Sequence, residues 1–141
     1  MGKVGFYTTL AVITVLAGAT TDVSAETPTD FLQTYAAEAK TADNRFAGFS
    51  AERGMKFFTT TPDGGEWSCA SCHTQTPLRP GQHAKTGKII DPLAPAANPE
   101  RFTSTGKVEK WFRRNCNDVL NRACTPLEKG DVLTYLLSLK P

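Results

Sequence analysis

Apolar residues recur at helical spacing in separate stretches of the chain, and no stretch alternates in the manner of a strand. The segment "TDFLQTYAAEAK" predicts an opening helix with Thr29 as its N-cap. "SAERGMKFFTT" predicts a second helix, capped by Ser50 and carrying Glu52 in its first turn, and "TPDGG" ends it. "GKVEKWFRRNCNDVL" predicts a third. "TPLEKGDVLTYLLSLK" predicts a fourth, whose start combines a Thr125–Glu128 capping box with Pro126 at the first helical position. Its apolar face is Val132, Leu133, Leu136, Leu137 and Leu139. Between Thr74 and about Thr105 the chain has Pro77, Pro80, Pro92, Pro95 and Pro99, two glycines and no period. A connection that long in a compact domain points to function. The pattern predicts an all-α fold of about four to five helices with one long loop.

The third helix breaks its own pattern. Val108, Phe112, Asn115 and Val119 share one face, with Trp111 beside them, so an amide interrupts an apolar stripe. Burying an unpaired amide costs about 1–3 kcal/mol.

A length of 141 residues is that of one domain. Residues 1–25 read as an export signal. Lys3 supplies the positive start, "LAVITVLAGA" is an apolar run too short to span a bilayer, and "VSA" is a small-x-small cleavage site ending at Ala25. A retained membrane anchor is the alternative. Residues 26–141 then form one exported, periplasmic domain with a modest core, and a monomer is expected. A net charge of +2 gives no case for nucleic-acid binding. Lys107, Lys110, Arg113 and Arg114 lie mostly off the Asn115 face. They form a solvated surface or a docking patch for an acidic redox partner.

"CASCH" (Cys69, Ala70, Ser71, Cys72, His73) is the strongest chemical signal. C-x-x-C-H is the attachment sequence for c-type haem. Two cysteines three apart reach the two vinyl groups of one porphyrin edge, and the next histidine projects toward the iron. A thioredoxin-like motif would need a βαβ context, and a zinc site would need two further ligands at matched spacing. Neither is present. His73 is the expected proximal ligand, with its other ring nitrogen on a carbonyl of "TPLRP".

The other face of the iron is less direct. Electron-transfer cytochromes c commonly use a methionine, but no methionine follows His73. Met55 precedes the site and reads as core or helix surface. His83 is the one other histidine; it reads as a surface residue or a propionate contact, and the alternative is a sixth ligand that would give a closed, low-spin iron. Asn115 is then either a core amide satisfied by backbone or a group that meets the iron. With Cys69 and Cys72 consumed by thioethers, Cys116 and Cys124 have only each other. In an unbroken helix they would be about 12 Å apart, whereas a disulfide needs Cα atoms roughly 4.4–6.8 Å apart. The helix must therefore end between them, and Asn121 tolerates the left-handed conformation that ends helices.

At these residues the chain resembles the SHP-type cytochromes c, high-spin monohaem class I proteins with an asparagine axial ligand. The similarity covers "GMKFF", "CASCH", "TGKIIDPLAP", "NPERFT", "KVEKWFRRNCNDVL" and "CTPLEKGDVLTYLLSL". The related cytochrome c double-prime has histidine where this chain has Asn115. The resemblance implies one covalent haem c held by Cys69 and Cys72, with His73 proximal and Asn115 distal. It places Trp111 and Phe112 against the haem and a Cys116–Cys124 disulfide beside it. It also implies a sixth site that opens on reduction to O2 or NO, and electrons from a dihaem cytochrome c linked to a membrane cytochrome b. A plain electron carrier with a closed six-coordinate haem is the rival expectation.

Overall fold

The computed structural model describes residues 1–2 and 26–141; of the expected export signal, residues 1–25, all but the first two lie outside them. The described chain is mostly helical, with five helices: α1 Pro28–Ala42, α2 Ala51–Thr59, α3 Cys69–His73, α4 Thr105–Leu120 and α5 Pro126–Ser138.

Helix starts follow the capping chemistry, with one correction. Helix α1 begins two residues earlier than the pattern suggests: Thr27, not Thr29, is its N-cap. Pro28 has no N–H to leave unpaired and suits the first helical position. The Asp30 carboxylate accepts the Thr27 N–H at 2.7 Å. Ser50 caps α2, accepting the Arg53 N–H at 3.2 Å. In α5 the Thr125–Glu128 box is closed by bonds of 2.7 and 3.2 Å. The side chain of Ser104 does not cap α4; the remote Glu26 carboxylate accepts from both the N–H and the hydroxyl of Thr105 instead.

Helix α5 is the centre of the molecule, and both α1 and α2 pack on it. Two glycines permit the close crossing with α2 and its leading loop. A β-carbon on Gly54 would lie 2.0 Å from the Asp131 carbonyl oxygen, and one on Gly130 would lie 2.1 Å from the Phe49 ring. Beside the crossing, the buried Asp131 carboxylate accepts from the Ser50 N–H at 2.7 Å and from Arg53 Nε and Nη2 at 2.8 Å each. A buried carboxylate needs such a full set of donors. The buried face of α5 is Val132, Leu133, Tyr135 and Leu136. Leu137, expected on that face, is exposed, and Tyr135 takes part in its place.

The core falls into two adjoining clusters. One is Phe58, Ala70, Val132, Tyr135 and Leu136. The other is Phe31, Tyr35, Val108 and Leu133. Phe102 and Phe112 pack against both and so join them.

The long connection is not structureless, and one expectation about it fails. Gly81–Gln82 (β1) and Ile89–Ile90 (β2) form a small antiparallel hairpin, with Gly81 opposite Ile90 and Gln82 opposite Ile89. Two-residue strands are too short for alternation to show in a sequence. His83 sits in the hairpin loop, where its Nδ1 accepts the Lys85 N–H at 3.2 Å. The rest of the connection is pinned by backbone bonds. The Pro77 carbonyl accepts the amides of Leu93 and Ala94, both at 3.0 Å. Arg101 donates to the carbonyls of Pro92 at 2.9 Å and Asp91 at 2.8 Å.

Candidate haem site

The five residues of α3 make little more than one turn, yet both ends of the turn are fixed. Before it, the buried Ser68 donates its N–H to Ser71 Oγ at 2.9 Å. After it, Thr74 adopts φ 64°, which is uncommon for a β-branched residue and ends the helix abruptly. Its hydroxyl donates to the Thr76 carbonyl at 2.8 Å. Behind the turn, strand β1 passes so close that a β-carbon on Gly81 would lie 3.0 Å from His73 Cα. The two thiols and the imidazole therefore project from one rigid unit, with Cys69 and Cys72 three residues apart and hence on the same face.

Both thiols are unpaired with other cysteines and half-buried. Burial pushes the Cys69 thiol up to about 11. Cys72 Sγ accepts the Ala84 N–H at 3.3 Å, which ties it to the hairpin loop. Burial, aided by the positive charges of Arg101 and His83, pushes the His73 imidazole down to about 4. At neutral pH the ring is therefore uncharged, the form that ligates a metal. It lies 6.3 Å from the Phe58 ring, at the edge of the first core cluster. The expected bond to a carbonyl of "TPLRP" is not among the hydrogen bonds of the described residues; the Pro77 carbonyl is already taken by Leu93 and Ala94.

Helix α4 supplies the second wall. Val108 is buried, and Phe112, Asn115 and Val119 are half-buried along the stripe. Phe112 meets Tyr35 edge-on, with centroids 6.0 Å apart. Both Phe112 and Cys69 pack against the first core cluster, so α3 and α4 border one apolar region. The Asn115 carboxamide has no hydrogen-bond partner among the described residues, and no fully buried polar side-chain atom is left unpaired there. It is thus open to a group outside the protein's own bonds. Trp111 is 51% exposed and lies at the rim, between Lys110 at 6.0 Å and Arg114 at 5.5 Å from its ring centroid.

The sulfurs of Cys116 and Cys124 are bonded, with Cα atoms 5.5 Å apart. The helix ends between them at Asn121, whose φ 54° and ψ 28° are left-handed. Gly81, Arg101 and Phe102 also shape the site and were not legible as such. The one signal for Gly81 was a glycine directly after Pro80.

Two thiols on one turn, a neutral imidazole, an apolar aromatic wall and an unpartnered carboxamide fit a covalently held haem. The comparisons agree. Residues 44–136 match a domain family described as of unknown function, DUF1924. The cytochrome c-type protein SHP of Cereibacter sphaeroides is 52% identical over 89 residues, covering 61% of this chain and 68% of that one. Cytochrome c'' of Methylophilus methylotrophus is 44% identical over 103 residues, covering 71% and 72%. The structure of oxidised SHP, described as an oxygen-binding cytochrome c, matches with a TM-score of 0.73 and 43% identity over 82% of this chain and 100% of that one. Haem c, covalently attached, is the cofactor, and the chain belongs to the SHP-type cytochromes c.

Proposed function

We propose that this cytochrome, beyond carrying electrons, has a sixth coordination site that Asn115 closes in the oxidised protein and releases on reduction to admit O2 or NO. The haem supplies an iron that changes oxidation state and accepts a diatomic gas. The protein supplies the rest. Cys69 and Cys72 would hold the porphyrin edge, His73 would supply a nitrogen ligand to the iron, and Phe112 and the rim residue Trp111 would line the site on the side of Asn115. The Asn115 carboxamide oxygen is a neutral, weak donor. It would be attracted more strongly to the ferric form, which carries one more positive charge, than to the reduced form.

The observation that carries this reading is Asn115 itself: a half-buried amide on an apolar stripe, with no partner among the described residues. No methionine follows His73 to compete for the position. His83 is engaged in its own loop through Nδ1. The solved relative described as oxygen-binding is 43% identical.

The test is Asn115→Ala. Cyanide should bind the oxidised variant at least tenfold faster than it binds the wild type, because no protein ligand has to leave. An unchanged rate would sink the reading. A low-spin oxidised spectrum with two nitrogen ligands would restore the closed carrier, with His83 as the sixth ligand.

We further propose a periplasmic location, with residues 1–25 removed, and reduction by a dihaem cytochrome c fed by a membrane cytochrome b. The outer face of α4 supports an acidic partner. Lys107, Lys110, Arg113 and Arg114 are exposed, and none is in an ion pair among the described residues.

A further inference from the structure

Helix α4 carries Asn115. The close helix crossings involve other elements, α2 and α1 on α5. Helix α4 is held by Glu26 at its first turn, by Val108 and Phe112 in the core, by the Cys116–Cys124 bridge near its end, and by one polar cluster. That cluster centres on Glu109. Its Oε1 accepts the Tyr35 hydroxyl at 2.6 Å, from α1. Its Oε2 accepts Lys129 Nζ at 2.6 Å, from α5. Lys129 is mostly buried, with 16% of its side chain exposed. Its ammonium lies 5.0 Å from the Tyr35 ring centroid and 6.0 Å from that of Phe112. One carboxylate thus ties three helices together six residues before Asn115, and the same ammonium touches the aromatic residue one turn before it.

Apolar packing supports the tie at Val108, buried with Phe31, Tyr35 and Leu133, and at Phe112, but leaves a gap next to the polar cluster. A cavity of about 210 Å³ lies beside it, lined by Glu109, Phe112, Arg113, Ala123, Cys124 and Lys129. The cavity also borders the disulfide, so next to it the Glu109–Lys129 hydrogen bond is the direct link between α4 and α5.

We infer that Glu109, with Tyr35 and Lys129, is a positioning device for the sixth ligand: it sets how firmly Asn115 is pressed toward the iron in the oxidised protein. The inference rests on the reading of Asn115 as that ligand. None of the three residues touches the haem in this account; they act through the placement of α4.

Tyr35→Phe is the cleanest probe. It removes one bond to Glu109, keeps the ring that packs on Phe112, and changes no charge. Lys129→Met removes the other bond. A charge-assisted hydrogen bond contributes enough that each variant should let cyanide bind the oxidised holoprotein about 3- to 10-fold faster. In Tyr35→Phe the reduction potential should rise, since the oxidised form alone loses a ligand contact. Hydrogen exchange of α4 amides should quicken around residues 109–116 while α2 and α5 keep their protection.

The combination with Asn115→Ala separates this inference from the reading beneath it. If the tie acts through Asn115, adding Tyr35→Phe to Asn115→Ala changes the cyanide rate no further. If Asn115→Ala alone has no effect, the sixth-ligand reading fails first. If Asn115→Ala speeds binding but neither Tyr35→Phe nor Lys129→Met does, Asn115 remains the ligand and the positioning role is wrong. If Tyr35→Phe speeds binding equally with and without Asn115, it merely opens access, which overturns the inference as well. If the Tyr35→Phe protein holds no haem, Lys129→Met carries the test against Lys129→Arg, which keeps the charge and should bind cyanide at the wild-type rate; equal rates in these two variants would overturn the inference.

Discussion

Gly81 stands so close to Cys72 that a β-carbon at residue 81 would lie 2.0 Å from the Cys72 carbonyl oxygen. No side chain can flex to relieve that contact, because both partners are backbone. Gly81→Ala must therefore push strand β1 off the haem-binding turn or twist the turn itself. The expected outcome is a sharp loss of covalently bound haem per polypeptide, read by the pyridine haemochrome assay. The contrasting Gly87→Ala, in the hairpin loop at φ 67°, should cost some stability and leave haem content near normal.

The oxidised wild type should be high-spin, and Asn115→His should make it low-spin. Imidazole is a stronger ligand than a carboxamide and holds iron in both oxidation states. Electron paramagnetic resonance of the oxidised form reads the spin state, and flash photolysis of the reduced form should show slower NO uptake. If the spectrum and the rate both stay at wild-type values, Asn115 does not face the iron.

The bridge between Cys116 and Cys124 closes a loop of only a few residues. The chain-entropy account gives it about 2.5 kcal/mol. Replacing both cysteines with serine should lower the denaturation free energy of the oxidised holoprotein by roughly that amount, in guanidinium titrations. The unreduced, denatured holoprotein should show no reactive thiol, because Cys69 and Cys72 are thioethers in it. One or two titratable thiols would contradict the pairing.

Burial pushes the Glu109 carboxyl up, but the bonds from Lys129 and Tyr35 outweigh burial and hold it below its ordinary value of 4.5. The sign of the pH effect follows. The carboxylate's contribution to stability is fully present above about pH 4.5 and is lost as pH falls through the lower folded-state value. Thermal melting of the oxidised protein should therefore weaken more steeply below pH 4.5 in the wild type than in Glu109→Gln. Parallel curves would mean that the pair contributes nothing measurable.

The unpaired cations on the outer face of α4 should speed oxidation of the reduced protein by the ferricyanide anion, and added salt should slow it. Lys110→Glu with Arg114→Glu should flatten the salt dependence. A cationic oxidant such as a cobalt complex should show the opposite trend. No dependence with either probe would leave this face as ordinary solvated surface.

What the sequence made legible was local. Each helix of useful length announced itself by its period, α2 and α5 also by their caps, and Asn121 announced the end of α4. The cysteine pairing followed from elimination. The misses were long-range or too short to carry a pattern. Two-residue strands show no alternation. Tyr135 and Leu137 sit two residues apart in the mainly apolar second half of α5, so the period could not say which turned inward. Pro28 moved the first cap from Thr29 to Thr27. The approach of Gly81 to Cys72, and the tie among Tyr35, Glu109 and Lys129, join residues far apart in sequence whose local surroundings give no hint of each other.

The docking of α5 against α2 also sets an order of events. Ser50 and Arg53 find their carboxylate at Asp131, and Gly54 finds its backbone contact on the same residue. Contacts of such long sequence separation form late and slowly. A chain delivered N-terminus first has no partner for α2 until α5 has followed it. The cluster that backs the CASCH turn draws Val132, Tyr135 and Leu136 from α5. Cys69 and Cys72 should accordingly stay accessible to the attachment machinery for as long as the C-terminal helix is undocked, and the finished protein should lose haem-loading competence once it folds without its cofactor.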